Sequence, residues 1–264
     1  MTDRRSIGQR LGYSIARYLH IVRARPDPGA PPPWTSTMSM TVVLIVLLIL
    51  SLHPYDEYLS RTFSAPGGPL HGARYITDIG LSKWYVIPAF IVAVCLICMD
   101  WQNLPHARRK ILGLLYAQAT YAFWAISLAG TFTAIVKFLI GRARPSFIDT
   151  MGTNHFSPFA GGDALASFPS GHSTTMGAVG AILALWFPRW RVPIILSTIF
   201  IAFTRLIAQA HYSTDIIAGY SIGFLFAVTI ARFLAGRRAA FVANGDSFWP
   251  SVRFGAVFHW NKSI

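Results

Sequence analysis

Cations, histidines and one carboxylate recur in three short blocks in the second half of the chain. The blocks are KFLIGRARP at 137–145, PSGH at 169–172 and TRLIAQAHYSTD at 204–215. They contain the cations Lys137, Arg144 and Arg205, the histidines His172 and His211, and the carboxylate Asp215. Cations can offset the charge of a transferring phosphoryl group, and histidine can serve as nucleophile, acid or base. The blocks therefore indicate cleavage of a phosphate ester without a metal ion.

Composition indicates a membrane protein around these blocks. The chain is 53% hydrophobic and only 12% charged, with a mean hydropathy of +0.46. A helix needs about 20 mostly apolar residues to cross a bilayer. Six apolar runs lie at 35–52, 84–99, 111–136, 171–187, 192–204 (with an extension to 210) and 216–234. The second and fifth runs are short or interrupted, and the predicted fold is an all-α polytopic membrane protein with a six-transmembrane-helix bundle.

The net charge of +13 is distributed in a way that predicts the orientation of the chain. If six helices alternate, sixteen cations fall on one side: Arg4, Arg5, Arg10, Arg17, Arg23, Arg25, Arg108, Arg109, Lys110, Arg189, Arg191, Arg232, Arg237, Arg238, Arg253 and Lys262. Outside the three blocks, the opposite side has only Arg61, Arg74 and Lys83. Positive residues favour cytoplasmic loops, so both termini are predicted to be cytoplasmic and the blocks to face outward. This distribution disfavours nucleic acid as a partner.

One membrane domain with two tails is expected. Residues 1–34 form a basic cytoplasmic tail, residues 35–235 a six-helix phosphatase domain, and residues 236–264 a second cytoplasmic tail. A cleavable signal peptide is not expected, since about 34 residues precede the first apolar run and no small-residue cleavage pattern follows it. We find no internal repeat.

The alternation of helices brings the three blocks to one face of the membrane. The first block ends the third helix, the second opens the fourth, and the third joins the fifth to the sixth. Each block also has a purely structural interpretation. Lys137 or Arg144 alone could be a cation at a helix end that reaches for the interface, with Arg142 as a further cation nearby. Gly141 and Pro145 mark a helix break that would let Arg144 turn inward.

The start of the fourth helix has two interpretations as well. Ser170 before Gly171 is typical of a helix N-cap, which needs no function. The free amides of a helix start, together with the serine hydroxyl, also form a phosphate cradle, with His172 beside it.

The third block is harder to explain by structure alone, because charged groups near bilayer depth are costly and tend to be paired or functional. Asp215 lies four residues beyond His211, so it could hold that imidazole in one tautomer. Gly219 and Gly223 form a GxxxG pattern that predicts close helix packing behind this histidine. Cys95 and Cys98 are expected to be ordinary buried side chains.

These motifs resemble the signature of the type 2 phosphatidic acid phosphatase (PAP2) superfamily. That signature has Lys, six intervening residues and Arg-Pro, then Pro-Ser-Gly-His, then Ser-Arg, five intervening residues, His, three intervening residues and Asp. The sequence matches at Lys137, Arg144, Pro145, Pro169 to His172, Arg205, His211 and Asp215. Thr204 stands where the family has serine. Its hydroxyl is expected to keep a phosphate contact.

The resemblance implies a role for each matching residue. Lys137, Arg144 and Arg205 would hold the phosphate, with help from Ser170 and the Gly171 amide. His211 would attack phosphorus to give a phosphohistidine, Asp215 would orient it, and His172 would protonate the leaving oxygen and then activate water. No metal, other cofactor or obligate protein partner is implied.

The expected substrate is a lipid phosphate among membrane lipids, reached from the outer side of a bacterial inner membrane. Lipid A 1-phosphate or undecaprenyl diphosphate is preferred, with phosphatidic acid and phosphatidylglycerophosphate as alternatives. Selection among them is expected from residues 53–83 and from the loop 146–168, which contains Phe147, His155, Phe156 and Phe159. Two other functional classes fit the sequence less well. A vanadate-dependent haloperoxidase shares the phosphate cradle but is soluble, and a transporter or scaffold would not need both histidines and the carboxylate in register.

Overall fold

The computed structural model describes residues 8–9, 12, 15–16, 19–20, 23–64, 71–99, 101, 104–245 and 247–253. From residue 36 onward the α-helices are α1 Ser36–Leu52, α2 Asp56–Ser64, α3 Lys83–Ile97, α4 His106–Ile140, α5 Ile148–Met151, α6 Gly171–Trp186, α7 Arg191–Ile207 and α8 Ser213–Ala235. Segments of 3₁₀ helix lie at His53–Tyr55, His71–Gly80, Pro145–Phe147, Asp163–Leu165 and Pro188–Trp190. Strands β1 Phe241–Val242 and β2 Ser251–Val252 pair antiparallel, with Phe241 opposite Val252.

The six predicted apolar runs all form helices. Among the described residues, five helical stretches are long and apolar enough to cross a membrane: Ser36–Ser64, Tyr75–Ile97, His106–Ile140, Pro188–Ile207 and Ser213–Ala235. The remaining run forms α6, which has 16 residues. The chain is thus a helical, multi-pass membrane protein. The count of six crossings and the cytoplasmic location of the termini stay predictions.

The described chain divides into two compact units. One comprises Met1–Pro33, Tyr85–Trp124 and Thr229–Ile264, and the other Trp34–Trp84 and Ala125–Val228. All three sequence blocks belong to the second unit. Part of the predicted tails falls outside the described residues, including Arg4, Arg5, Arg10, Arg17 and Lys262. The predicted tail boundaries stay predictions.

Within the first unit, Arg232 holds residues from both predicted tails. Its guanidinium donates to the carbonyl oxygens of Pro32 at 3.0 Å, Pro33 at 3.1 Å, Ser247 at 2.7 Å and Phe248 at 3.2 Å. One arginine satisfies four carbonyls because its planar fork carries five N–H donors. These parts of the two tails are therefore packed together near the end of α8.

In the second unit, glycines bring α8 against α6. A methyl group on Gly219 would collide with the backbone of Ser170, and one on Gly223 would collide with the backbone of Thr174 and Ala178. Only a residue without Cβ permits such an approach of two helices. The predicted packing role of the GxxxG pattern is confirmed, and it places the start of α6 directly beside α8.

Candidate active site

The start of α6 is capped by Ser170. The Ser170 hydroxyl oxygen accepts hydrogen bonds from the Ser173 amide at 3.3 Å and the Ser173 hydroxyl at 2.9 Å. Ser170 is fully buried, and its own amide donates to the Asp215 carbonyl at 3.0 Å. The amides of Gly171 and His172 lie in the first helical turn, where N–H groups have no carbonyl partner within the helix. The serine is thus a structural cap, and the turn that follows it supplies the donors of an anion site.

The first block leaves α4 through a sharp turn. Gly141 has a φ of +61°, and a side chain there would collide with the Ser157 backbone. The chain then runs along the following loop, with the Ala143 amide donating to the His155 carbonyl at 3.0 Å. Pro145 begins a 3₁₀ turn. The predicted helix break is confirmed, and after it the chain runs beside the segment that contains His155 and Ser157.

Two of the predicted phosphate-binding cations meet the loop that precedes α6. Lys137 donates from Nζ to the Ala166 carbonyl, and a methyl group on Gly171 would lie 3.9 Å from Lys137 Cε. Arg144 donates from Nε to the Asp163 carbonyl at 2.8 Å and from Nη2 to Asp163 Oδ1 at 2.6 Å. The Asp163 side chain is 90% exposed. Lys137 therefore lies against the α6 start, whereas Arg144 is held by a solvent-facing carboxylate.

The third cation, Arg205, lies near the end of α7. Its Nη1 donates to Thr77 Oγ1 in the segment His71–Gly80 at 3.2 Å. Its Nε is buried and has no hydrogen-bond partner among the described residues. A buried N–H without a partner is rare in folded proteins, and a ligand oxygen is one way to satisfy it. Thr204 is fully buried and its hydroxyl donates to the Ile201 carbonyl at 2.6 Å, within its own helix, and the phosphate contact expected for it stays a prediction.

The ring of His211 is held by a backbone carbonyl. His211 Nδ1 lies 2.7 Å from the Ser167 carbonyl oxygen, and 3.8 Å from Asp215 Oδ2. A carbonyl can only accept, so Nδ1 carries the proton and Nε2 has the free lone pair. Burial, with the charges of Lys137 and Arg205, lowers the pKa of His211 to about 4, which Asp215 only partly opposes. His211 is therefore a neutral imidazole near pH 7.

Asp215 reaches His211 by way of Ser167. The Ser167 hydroxyl donates to Asp215 Oδ2 at 2.5 Å, and the Tyr212 amide donates to the same oxygen at 2.9 Å. Ser167 thus bonds Asp215 through its side chain and His211 through its backbone. The sequence predicted that Asp215 orients His211, but not that a serine stands between them. No spacing or motif in the sequence singles out Ser167.

Two further buried charges adjoin Asp215, and sequence reasoning missed the importance of both. Arg142 Nη1 donates to Asp215 Oδ1 at 2.7 Å, and Arg142 Nη2 donates to Asp56 Oδ2 at 2.9 Å. Asp56 and Asp215 are fully buried, and Arg142 is 2% exposed. The sequence did contain one indication for Arg142. It follows a long apolar run, and a charged side chain in such a position tends to be paired. Asp56 has no such context in the sequence.

His172 stands where the three blocks meet. Arg205, His211, Lys137 and Arg144 are all close enough to act on it electrostatically. A methyl group on Gly80 would lie 3.2 Å from His172 Cβ and Cδ2, so the segment His71–Gly80 packs directly on this ring. The structure therefore brings the predicted cations and both histidines together, with the fixed amides of the α6 start beside them. This arrangement can bind a tetrahedral anion and present a neutral imidazole to it.

The His, Cys, Asp and Glu side chains of the described residues indicate neither a metal site nor a disulfide. Within the described ranges, no group of three or more His, Cys, Asp or Glu side chains is placed to hold a metal ion. Cys95 and Cys98 are free thiols in α3, exposed and half-buried respectively. The expectation that both are buried is therefore wrong for Cys95, whose position on an apolar helix is compatible with contact to lipid.

Comparison with known proteins agrees with this chemistry. Residues 118–239 match the PAP2 superfamily. A lipid A 1-phosphatase of Rhizobium johnstonii is 33% identical over 87% of this chain and 92% of its own, and one of Rhizobium etli is 31% identical over 84% and 94%. A crystal structure of the first transmembrane PAP2-type phosphatidylglycerolphosphate phosphatase, from Bacillus subtilis, aligns with a TM-score of 0.48 and 18% identity, covering 74% of this chain and 94% of that one. The matching region contains all three blocks, and the chain belongs to the PAP2 superfamily of membrane phosphatases.

Proposed function

We propose that this phosphatase removes the 1-phosphate group of lipid A. The observation that carries the proposal is the similarity to two lipid A 1-phosphatases along nearly the whole chain. Such coverage includes the loop 146–168 and the segment His71–Gly80, where head-group selection is expected. The similarity to these two enzymes therefore extends beyond the phosphate-binding motifs.

The phosphate is held by three cations and a helix start. Lys137 lies against Gly171, and Arg205 has a buried Nε ready for an oxygen acceptor. Arg144 joins them when its ion pair with the exposed Asp163 opens or turns aside. Preorganised cations and amides stabilise the charge that develops on the transferring phosphoryl group.

His211 attacks phosphorus in the first step. Its proton is on Nδ1, directed at the Ser167 carbonyl, so the Nε2 lone pair forms the N–P bond while the bond from phosphorus to the lipid oxygen breaks. His172, protonated when the phosphate anion is bound beside it, gives its proton to that oxygen, and the dephosphorylated lipid leaves. The enzyme is then a phosphohistidine, a covalent intermediate that divides one difficult step into two.

Water completes the reaction in the second step. His172, now neutral, takes a proton from a water molecule, whose oxygen attacks phosphorus. The N–P bond breaks, its electron pair returns to His211 Nε2, and inorganic phosphate is released. Both histidines end in their starting protonation states, so the cycle consumes one water and one lipid phosphate.

The proposal places the enzyme in a bacterial inner membrane with the site facing the periplasm. Support comes from the positive residues, which would concentrate on the side opposite the three blocks if six helices alternate across the membrane. Lipid A carries its phosphate groups in the interfacial region, a depth compatible with a site at the ends of membrane helices. A basic 1–34 tail and a 236–264 tail would then both be cytoplasmic.

A panel of lipid substrates tests the proposal. Purified enzyme in detergent is given lipid A, undecaprenyl diphosphate, phosphatidic acid and phosphatidylglycerophosphate, and initial rates of phosphate release are compared at equal micellar concentration. We expect lipid A to have the largest kcat/KM and a product that lacks only the 1-phosphate, as seen by mass spectrometry. His211→Ala, purified in parallel, controls for contaminating phosphatase. A preference for another lipid would overturn the substrate and leave the phosphatase chemistry intact.

A further inference from the structure

A buried cluster of three charges lies behind the proposed nucleophile. We infer that Asp56 and Arg142 are positioning residues, which fix Asp215 and, through Ser167, the ring of His211. The inference rests on the proposed role of His211 as the nucleophile. Neither Asp56 nor Arg142 has a role in the reaction steps described above.

Asp56 anchors the cluster to the start of α8. Its Oδ1 accepts from the Ser213 hydroxyl at 2.6 Å and the Thr214 amide at 3.2 Å, and its Oδ2 accepts from the Thr214 hydroxyl at 2.5 Å. A carboxylate is favoured at a helix N-terminus, where amides lack partners and the dipole is positive. Asp56 is therefore held by the same helix turn that carries Asp215.

Arg142 joins the two carboxylates. Its Nη2 donates to Asp56 Oδ2 at 2.9 Å, while its Nη1 donates to Asp215 Oδ1 at 2.7 Å and Thr214 Oγ1 at 2.9 Å. The guanidinium also lies over the Tyr212 ring, with Cζ 4.2 Å from the ring centroid. A planar fork can serve two carboxylates at once in a fixed geometry, which a lysine ammonium cannot reproduce.

The effect on His211 follows from how the two Asp215 oxygens are divided. Oδ1 is taken by Arg142, so Oδ2 remains for the Ser167 hydroxyl and the Tyr212 amide. Ser167 then presents its carbonyl to His211 Nδ1 at 2.7 Å. Without Arg142 the carboxylate could rotate, Ser167 would lose its fixed partner, and the His211 ring would lose its orientation.

The cluster has no direct part in binding the substrate. The Asp56 carboxylate and the Nη1 and Nη2 atoms of Arg142 are all bonded to protein groups, so they are not offered to a lipid phosphate. The phosphate cations make their own contacts, Lys137 with Ala166 and Arg205 with Thr77. A positioning role therefore predicts a loss in the rate of bond formation with little change in phosphate affinity. A merely structural role predicts lower stability alone.

Single-turnover phosphorylation of Asp56→Asn and Arg142→Lys separates these roles. Each variant is assayed at saturating lipid A, and its rate is normalised to folded protein measured by size-exclusion chromatography and thermal shift. We expect the phosphorylation rate to fall about 10- to 100-fold, by analogy with the loss when a partner that orients a metal-binding histidine is removed. The inhibition constant for inorganic phosphate, a product that is held by the cations without a bond to His211, should change less than about twofold.

Ser167→Ala is the milder variant if the charge variants do not fold. It removes the hydroxyl that bonds Asp215 and keeps the carbonyl that bonds His211, and we expect it to slow phosphorylation with the affinity for inorganic phosphate retained. Ser64→Ala, which removes another buried hydroxyl in the same unit, is the matched control and should phosphorylate at the wild-type rate.

The outcomes separate the inference from the function on which it rests. Folded Asp56→Asn, Arg142→Lys or Ser167→Ala enzyme that phosphorylates at the wild-type rate would overturn the positioning role while His211→Ala remains inactive. A loss of affinity for inorganic phosphate parallel to the loss of rate would equally overturn it, since the cluster would then support the phosphate site. A phosphoenzyme in His211→Ala would instead refute the proposed nucleophile.

Discussion

His211 Nδ1 lies 2.7 Å from the Ser167 carbonyl oxygen, so this carbonyl is the hydrogen-bond acceptor of the ring N–H group. The Asp215 carboxylate, at 3.8 Å, is beyond hydrogen-bond distance and acts on the ring through its charge and through Ser167. The tautomer of the nucleophile is thus set by the backbone. A side-chain substitution at Ser167 cannot remove that bond directly, whereas a substitution at Asp215 can displace it.

The two histidines should respond differently to the leaving group. His211→Ala removes the nucleophile, so no substrate should form a phosphoenzyme. His172→Ala removes the acid, which matters most for a poor alkoxide and least for p-nitrophenolate, which can leave unprotonated. The measurement is single-turnover phosphorylation with lipid A and with p-nitrophenyl phosphate. Equal loss toward both substrates in His172→Ala would show that His172 is not the acid of the first step.

His211 should remain competent as a nucleophile in mild acid. With a pKa of about 4, roughly nine-tenths of His211 is neutral at pH 5, compared with a few per cent for a histidine of ordinary pKa. The phosphorylation rate with a substrate of fixed ionisation should therefore have no decline near pH 6.5 that is due to His211. A nucleophile that titrates near pH 6.5 would contradict the burial of this ring.

The same pKa links His211 to stability. The unfolded chain binds a proton at His211 below about pH 6.5 and the folded protein only below about 4, so stability falls as pH drops between these values and levels off below 4. The full contribution is about 3 kcal/mol. Thermal shift from pH 7 to pH 4 should show a smaller decline for His211→Gln than for wild type, and equal declines would contradict a neutral buried His211.

Alanine substitutions at the two glycines of α8 should have different effects on activity and on stability. Gly219→Ala places a methyl group against the Ser170 backbone and should displace the α6 start, lowering kcat. Gly223→Ala meets the Thr174 and Ala178 backbone deeper along α6 and should destabilise the fold by about 1–3 kcal/mol. Gly130→Ala on α4 is the control, because no described atom lies within 4 Å of the new methyl group. Helix propensity favours alanine there, so Gly130→Ala should be neutral or stabilising in the same kcat and thermal-shift measurements.

Metal removal should leave the reaction intact. Phosphate release should persist in excess EDTA, because three cations supply the charge stabilisation that Mg²⁺ gives in other phosphoryl-transfer enzymes. Vanadate should inhibit by occupying the phosphate site as a five-coordinate mimic. Initial rates with and without EDTA make the comparison, and loss of activity that Mg²⁺ restores would contradict the mechanism.

Cysteine labelling in intact cells tests the orientation. In a Cys95→Ala, Cys98→Ala background, Asp149→Cys should react with an impermeant thiol reagent, and Arg189→Cys should be protected until the membrane is permeabilised. Both original side chains are exposed, so access is governed by the membrane. Loss of the Asp149 ion pair with the exposed Arg61 should cost little stability. The reverse labelling pattern would place the site on the cytoplasmic side.

The sequence predicted the helices and the convergence of the blocks because both depend on local patterns. Apolar runs at 171–187 and 216–234 became helices Gly171–Trp186 and Ser213–Ala235, since a backbone in hydrocarbon must satisfy its own hydrogen bonds. Counting crossings was then enough to bring Lys137, His172 and His211 together.

Contacts between distant positions could not be predicted in the same way. Asp56 and Arg142 are 86 residues apart, and no spacing rule connects an acidic residue after one helix with a cation after another. Ser167 acts through its backbone carbonyl, which every residue has, so its type gave no indication. Thr204 illustrates the opposite case, in which a motif position suggested a phosphate contact but its hydroxyl bonds its own helix.

The burial of α6 has a consequence for how the phosphate site is held. Twelve of its 16 residues are buried, so other parts of the protein and not acyl chains surround this helix. At about 1.5 Å a residue it is about 24 Å long, shorter than a hydrocarbon core of about 30 Å. A helix without a lipid-facing surface creates no hydrophobic mismatch. The position of Ser170 and His172 is therefore set by packing within the protein rather than by the thickness of the bilayer.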